Sequence, residues 1–162
     1  MPDAVCDTSP LLYLHLTAHL DVLFNLYQQI VVPSAVVSEL RQGELQGYDV
    51  PALAALPWAS EEPVSPADLQ RVSQSLDTGE REAIALALTK PDPLLILDDA
   101  AARTHAKSLE IPFTGTLGVV VKAKHAGLIS AVVPCPDELN RAGFYLDAHV
   151  RATIHRLAGE RP

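Results

Sequence analysis

At four separated places in this chain, acidic residues stand at the edges of apolar segments. Asp7 follows Ala4-Val5-Cys6, Glu39 closes Val36-Val37-Ser38-Glu39, Glu80 ends Asp77-Thr78-Gly79-Glu80, and Asp98-Asp99 follows Leu94-Leu95-Ile96-Leu97. No single helix face explains residues so far apart, and an acid beside a buried segment is costly unless something pairs it. Gathered by a fold, these acids would repel one another and demand a cation. Carboxylates with no Cys or His beside them suit a hard ion, Mg²⁺ or Mn²⁺.

Each acid also has a plainer reading. Asp7 is placed to cap a helix. Glu39 is placed as a surface helix residue, although Gln42 and Gly43 at i+3 and i+4 offer it no ion pair. Asp77-x-x-Glu80 has the spacing of a capping box, whereas the helical stripe that Glu80 shares with Ala83, Ile84 and Ala87 turns it inward. Glu82 falls on a different face and ranks below Glu80 as a ligand. Asp99 is spaced to pair with Arg103 or to cap a helix, and Asp98 is an alternative cap. Four such coincidences in one chain favour the joint reading.

Other chemistries find little support. The six histidines are scattered, and only His15 and His19 have helical ligand spacing, without the glutamate of an HExxH motif. Ser9 and Ser34 have no identifiable base. No GxSxG, phosphate-binding loop or dinucleotide glycine fingerprint occurs. Cys6 and Cys135 belong to no CxxC or Cys/His cluster, which argues against zinc and fits a reducing cytoplasm.

The elements that must position these acids come from a 162-residue chain, a length expected of one domain with a sizeable core. Hydrophobic residues make up 48% and aromatic ones 5%, so the core is expected to be Ala, Val, Leu and Ile. No signal peptide is read at the start, where Asp3 and Asp7 interrupt the pattern. The apolar stretch from Leu11 to Val37 is broken by polar residues and does not read as a membrane span. The net charge is −8, with 15 acids and 4 bases in residues 1–99 against 5 acids and 8 bases in residues 100–162. That balance excludes a generic phosphate-backbone binder. A nucleic-acid substrate would depend on bound metal and on the basic region around Arg103, Lys107, Lys122 and Lys124, whose plainer reading is solvated helix faces.

Buried strands are expected at Ala4–Asp7, Ile30–Val32, Leu94–Leu97 and Ile111–Thr114, with a further short strand near Trp58. Helices are expected as one bent or two short segments after Thr8, then over Ser34–Gln42 with Gly43 as its stop, Pro66–Leu76, Glu80–Thr89, Ala100–Glu110 and Gly115–His125. Pro134 and Pro136 read as a turn before helices near Asp137–Ala142 and Leu146–Leu157. Apolar strands alternating with helices imply a mainly parallel sheet covered on both faces. In such sheets the active site lies beyond the carboxyl ends of the strands, where Asp7 and Asp98-Asp99 stand.

In these segments and their order the chain resembles the PIN-domain family of metal-dependent ribonucleases. The likeness is carried by Val5-Cys6-Asp7-Thr8-Ser9-Pro10, Val32-Pro33-Ser34-Ala35-Val36-Val37-Ser38-Glu39-Leu40, the run from Leu76 through Asp77-Thr78-Gly79-Glu80 to Ala87, and Leu95-Ile96-Leu97-Asp98-Asp99. Thr114-Gly115-Thr116-Leu117-Gly118, Ala142-Gly143-Phe144 and Leu157-Ala158-Gly159-Glu160 are similar to one subgroup of unsettled function. The resemblance implies a three-layer α/β/α sandwich with a core over about residues 4–127 and a helical extension over about 135–160. It implies one or two divalent metals held by Asp7, Glu39, Glu80 and Asp99, with Asp98 as the alternative to the last. Thr8, Thr116 and Arg103 would position a water or phosphate. It further implies an endoribonuclease leaving 5′-phosphate and 3′-hydroxyl ends, toxin–antitoxin pairing and a homodimer. Glu80 departs from the more usual aspartate.

Two other classes remain open at this stage. A binding module with weak or lost chemistry would use the same fold through RNA or protein contacts. A phosphoacceptor domain is the third, although its acidic pair belongs at the first strand and here the pair comes late.

Overall fold

The computed structural model describes residues 1–131, 134–141, 152, 155, 156 and 158–160. Five parallel strands are seen there: β1 (Asp3–Cys6), β2 (Ile30–Pro33), β3 (Ala59–Glu62), β4 (Pro93–Ile96) and β5 (Phe113–Thr114). Their order is β3-β2-β1-β4-β5. The chain winds outward from β1 to one edge and then returns to β1's other side, so the order reverses between β1 and β4. At such a switch point the loops leaving two adjacent strands part and open a crevice.

Period-two alternation makes the sheet two-faced. Ala4 and Cys6 of β1, with Ile30, Val32 and Ile96, face one core, which also holds Leu11, Leu14, Leu23, Val36 and Val119. Val5, Leu95 and Leu97 face the other, with Ala83 to Ala87, Ala102, Ala106 and Ile111. The first layer contains α1 (Thr8–Leu16), α2 (Asp21–Tyr27), α3 (Ser34–Leu45) and α7 (Thr116–His125). The second contains α4 (Pro66–Leu69), α5 (Thr78–Thr89) and α6 (Ala100–Ser108). This is the three-layer α/β/α arrangement expected from the sequence.

Several boundaries differ from expectation. The segment after Thr8 is not among them: it forms two short helices, one of its two expected forms, separated where Ala18 takes φ 58° and Thr17 Oγ1 donates back to the Tyr13 carbonyl at 2.8 Å. Gly43 does not stop α3, which continues to Leu45; a Cβ at Gly43 would stand 3.3 Å from Val50 Cγ1, so the loop packs where the side chain is missing. Only Pro66–Leu69 of the expected 66–76 helix forms, capped by Ser65 Oγ accepting from Asp68 N–H at 3.1 Å. Pro134 and Pro136 do not mark a turn but lie in the first turn of α8 (Pro134–Arg141). Proline is tolerated there because those N–H groups have no intrahelical partner anyway. Of the helix expected over 146–157, only 152, 155 and 156 are described, all helical; the motif at 142–144 lies outside the described residues. Among the described residues no helix is long and apolar enough to cross a membrane.

Candidate active site

Asp7 leaves β1 at the switch point. Its backbone N–H donates to the Ile96 carbonyl at 3.0 Å, extending the β1–β4 register by one residue, and the residue is 6% exposed. It is the N-cap residue of α1 by backbone, yet its side chain makes no capping bond. Burial pushes its pKa from 3.8 up to about 7; the Thr8 N–H beside it opposes the rise, and the charges of Asp77, Glu39 and Glu80 add to it.

Glu39 comes from α3 on the neighbouring connection. Thr8 Oγ1 donates to Glu39 Oε2. A Cβ built on Gly79 would stand 2.6 Å from Glu39 Oε1 and 3.4 Å from Asp7 Oδ1. Both carboxylates therefore crowd one backbone position in the first turn of α5, and only glycine leaves them that space. Among the described residues no Lys, Arg or His side chain pairs with either acid.

Glu80 is half-buried and closes a capping box: its N–H donates to Asp77 Oδ1 at 2.9 Å and its Oε2 accepts from Asp77 N–H at 3.3 Å. Burial first, then the charges of Asp77 and Asp99, push its pKa from 4.5 up to about 7. Asp99 is the N-cap of α6 and accepts from Ala102 N–H at 2.8 Å. Asp98 points elsewhere, accepting from the Thr116 N–H at 2.8 Å and hydroxyl at 2.6 Å.

Thr116 is fully buried and Arg103 half-buried; Thr116 holds Asp98, and Arg103 holds the end of β4. Arg103 Nε donates to the Leu97 carbonyl at 3.0 Å, its guanidinium lies 5.5 Å from the Phe113 ring centre, and a Cβ on Gly115 would stand 1.9 Å from its Nη2. Beside them a cavity of about 340 Å³ opens between Asp98, Arg103, Phe113 and Leu117. A larger hollow of about 450 Å³, between α3 and edge strand β3, is lined by none of these acids.

The expected acids thus form two groups flanking β1 and β4. Asp7 and Glu39 meet over Gly79, with Asp77 and Glu80 close enough to be felt electrostatically; Asp98 stands across the switch point with Thr116. Among the described residues, no group of three or more His, Cys, Asp or Glu side chains is gathered to hold a metal ion. The Asp7–Glu39 pair does fit a hard divalent cation: its donors are oxygens, it has no cationic partner, and it lies against a glycine cradle. The remaining acids do not close around the same point.

Three features escaped the sequence. Asp77 reads as a cap, and it is one, but its charge also ranks first among those acting on Asp7 and on Glu80. Its place three residues before Glu80 was the only local signal. The cradle role of Gly79, and the contact of Glu82 with the start of α3, join segments dozens of residues apart and leave no trace in either.

A doubly wound parallel sheet whose strand-order reversal carries Asp7, a buried carboxyl with no cationic partner among the described residues, beside the exposed Glu39 defines an α/β domain with an acidic crevice. The DUF3368 family model, described as a PIN domain, matches residues 3–160. The chain belongs to the PIN-domain family, whose members are generally nucleases. No curated protein matches it.

Proposed function

We propose that the protein is a divalent-metal-dependent endoribonuclease in which Asp7 and Glu39 hold the cation, Mg²⁺ or Mn²⁺. The observation that carries this is Asp7: a buried carboxyl with no cationic partner, crowded by Glu39 at the switch point of a PIN-domain fold. A protein gains nothing in stability from such a group, so its place is best explained by a ligand of opposite charge.

When bound, the cation would supply water activation and charge for the scissile phosphate. The chain's own residues supply the rest. Thr8 orients Glu39 through its hydroxyl, and Thr116 fixes Asp98 on the far side of the crevice. Asp98, held by Thr116 across the crevice, is assigned to the substrate side, and Asp99, which caps α6 with one oxygen and whose charge reaches Glu80, to the acidic side. Glu80 adds negative charge from its capping box. Arg103 acts on strand-end geometry, not as a direct phosphate contact. A role as the toxin of a toxin–antitoxin pair, and a homodimer, belong to the same proposal.

The test is thermal unfolding with and without Mn²⁺, for the natural chain and for Asp7→Asn. A ligand at about 100 times its dissociation constant stabilises by roughly 2.7 kcal/mol, so Mn²⁺ should raise the unfolding temperature of the natural chain alone. Equal responses from both chains would sink the assignment of Asp7. Cleavage of single-stranded RNA in Mg²⁺, lost in Asp7→Asn and Glu39→Gln, would follow.

One observation favours a second reading, a PIN-like module that binds without cutting: Glu80 and Asp99 are occupied as caps, and three acids are not gathered. Such a module would show no Mn²⁺ response, and its partner binding would survive Asp7→Asn.

A further inference from the structure

Helix α3 begins with its amino end unserved by its own cap. The N-cap is Pro33, which has no side-chain acceptor and makes no capping bond, yet the first N–H groups of any helix lack intrahelical partners. One of them is served from across the molecule: the Ala35 N–H donates to Glu82 Oε2 of α5 at 2.7 Å. This carboxylate sits at the positive end of the α3 dipole, where negative charge is favoured.

The spacing of this contact ties it to the site. Ala35 and Glu39 are four residues apart on α3, and Gly79 and Glu82 are three apart on α5, so each pair shares a helix face. The two helices, which feed opposite cores, therefore meet at two points one turn apart: Glu82 on the Ala35 N–H, and Gly79 against the Glu39 carboxylate. A slide of one residue along either axis, about 1.5 Å, would break both.

We propose that Glu82 is a positioning residue that sets the register of α3 on α5 and thereby holds the Glu39 carboxylate beside Asp7. Its significance for metal rests on the nuclease reading above; its effect on Glu39 does not. Glu82→Ala removes the acceptor, Glu82→Met removes it while keeping the length of the side chain, and Glu82→Gln keeps an acceptor oxygen. Lys90→Ala serves as a control for plain destabilisation, because it breaks a 2.7 Å ion pair between the carboxyl end of α5 and Glu62 and removes none of the contacts among Glu82, Ala35, Gly79 and Glu39.

Two readouts decide the matter, both taken well below each variant's unfolding temperature. The first is the proton–proton contact between the Thr8 and Glu39 side chains, seen by nuclear Overhauser effects in metal-free protein. The second is the Mn²⁺ dissociation constant, from the paramagnetic resonance signal of free Mn²⁺. In Glu82→Ala and Glu82→Met the Thr8–Glu39 contact should vanish and the dissociation constant should rise about tenfold, as for outer-shell partners of metal ligands, while Glu82→Gln stays within about threefold. Lys90→Ala should leave both unchanged. The proposal is overturned if the Thr8–Glu39 contact persists in folded Glu82→Met, or if Lys90→Ala loses it equally. If the natural chain takes up no Mn²⁺, the nuclease reading falls, and the metal-free contact alone decides the role of Glu82.

Discussion

At the scale of single residues, the Asp7 carboxyl is the most informative group because the fold works against its ionisation. Its pKa rises from 3.8 to about 7 on folding, through burial and then the neighbouring acids. Between those values the folded chain keeps a proton that the unfolded chain has released, so stability falls as pH rises from about 4 to 7 and stays lowered above that. At about 1.36 kcal/mol per tenfold change in proton affinity, the cost at pH 8 is on the order of 4 kcal/mol. Asp7→Asn, which mimics the neutral form, should therefore be more stable than the natural chain at pH 8 without metal, and equal to it near pH 4. Urea unfolding at pH 4, 6 and 8 reads this directly, and a gain independent of pH would contradict the assignment. On the nuclease reading, bound metal should reverse that order of stability. Uptake must displace the Asp7 proton, so Mn²⁺ affinity should strengthen between pH 6 and pH 8. Glu80 shifts in the same direction and would sharpen that dependence.

At the scale of elements, the start of α5 does two jobs at once. Asp77 and Glu80 cap it, and Gly79 between them clears space for the carboxylates of Asp7 and Glu39. Gly79→Ala separates the two jobs. Alanine favours helix by up to about 1 kcal/mol, but its Cβ would lie 2.6 Å from Glu39 Oε1, closer than any stable contact. The expected result is a protein whose stability changes by no more than about 1 kcal/mol and whose Mn²⁺-induced rise in unfolding temperature is lost. A retained rise would show that Glu39 need not stand where the structure puts it. The same helix shows what the sequence can and cannot disclose. The apolar runs of β1, β2 and β4 and the cap of α5 are local signals, and all are legible. So is the presence of each acid at the end of its segment. The prolines of α8 and the glycine within α3 mislead because their usual role as breakers is overruled by position or by packing. Thr116 and Arg103 read as substrate contacts, and nothing near them in sequence shows that Thr116 also donates to Asp98 and Arg103 to the Leu97 carbonyl. The partnership of Glu82 with Ala35 spans 47 residues and exists only once two helices have met.

At the scale of the whole molecule, charge decides how RNA is approached. Residues 1–99, which contribute Asp7, Glu39, Asp77, Glu80 and Asp98 to the crevice, carry 15 acids and 4 bases. Of the basic region that the sequence offered as compensation, Lys107 and Lys122 are exposed, whereas Arg103 and Lys124 are half-buried, and three of the four already have partners. Arg103 holds the strand ends, Lys122 lies 4.8 Å from the Tyr27 ring centre, and Lys124 donates to the Ser130 carbonyl at 2.5 Å and stands 3.6 Å from Glu160. On the nuclease reading, a polyanion then meets an acidic crevice, and the attraction must come from the divalent cation. Binding of a fluorescent single-stranded RNA, followed by anisotropy, should appear with Mg²⁺ and disappear with a chelator. Because few side-chain cations would be engaged, the salt dependence at fixed Mg²⁺ should be shallow, with a log–log slope no steeper than about −2, or about three phosphates at roughly 0.7 each. Lys122→Gln and Lys124→Gln should cost stability through the lost ring and ion contacts and leave that slope unchanged. Metal-independent binding with a slope of about −4 or steeper would place RNA on a basic surface away from the crevice. It would also remove the electrostatic reason for assigning the acids to its phosphate.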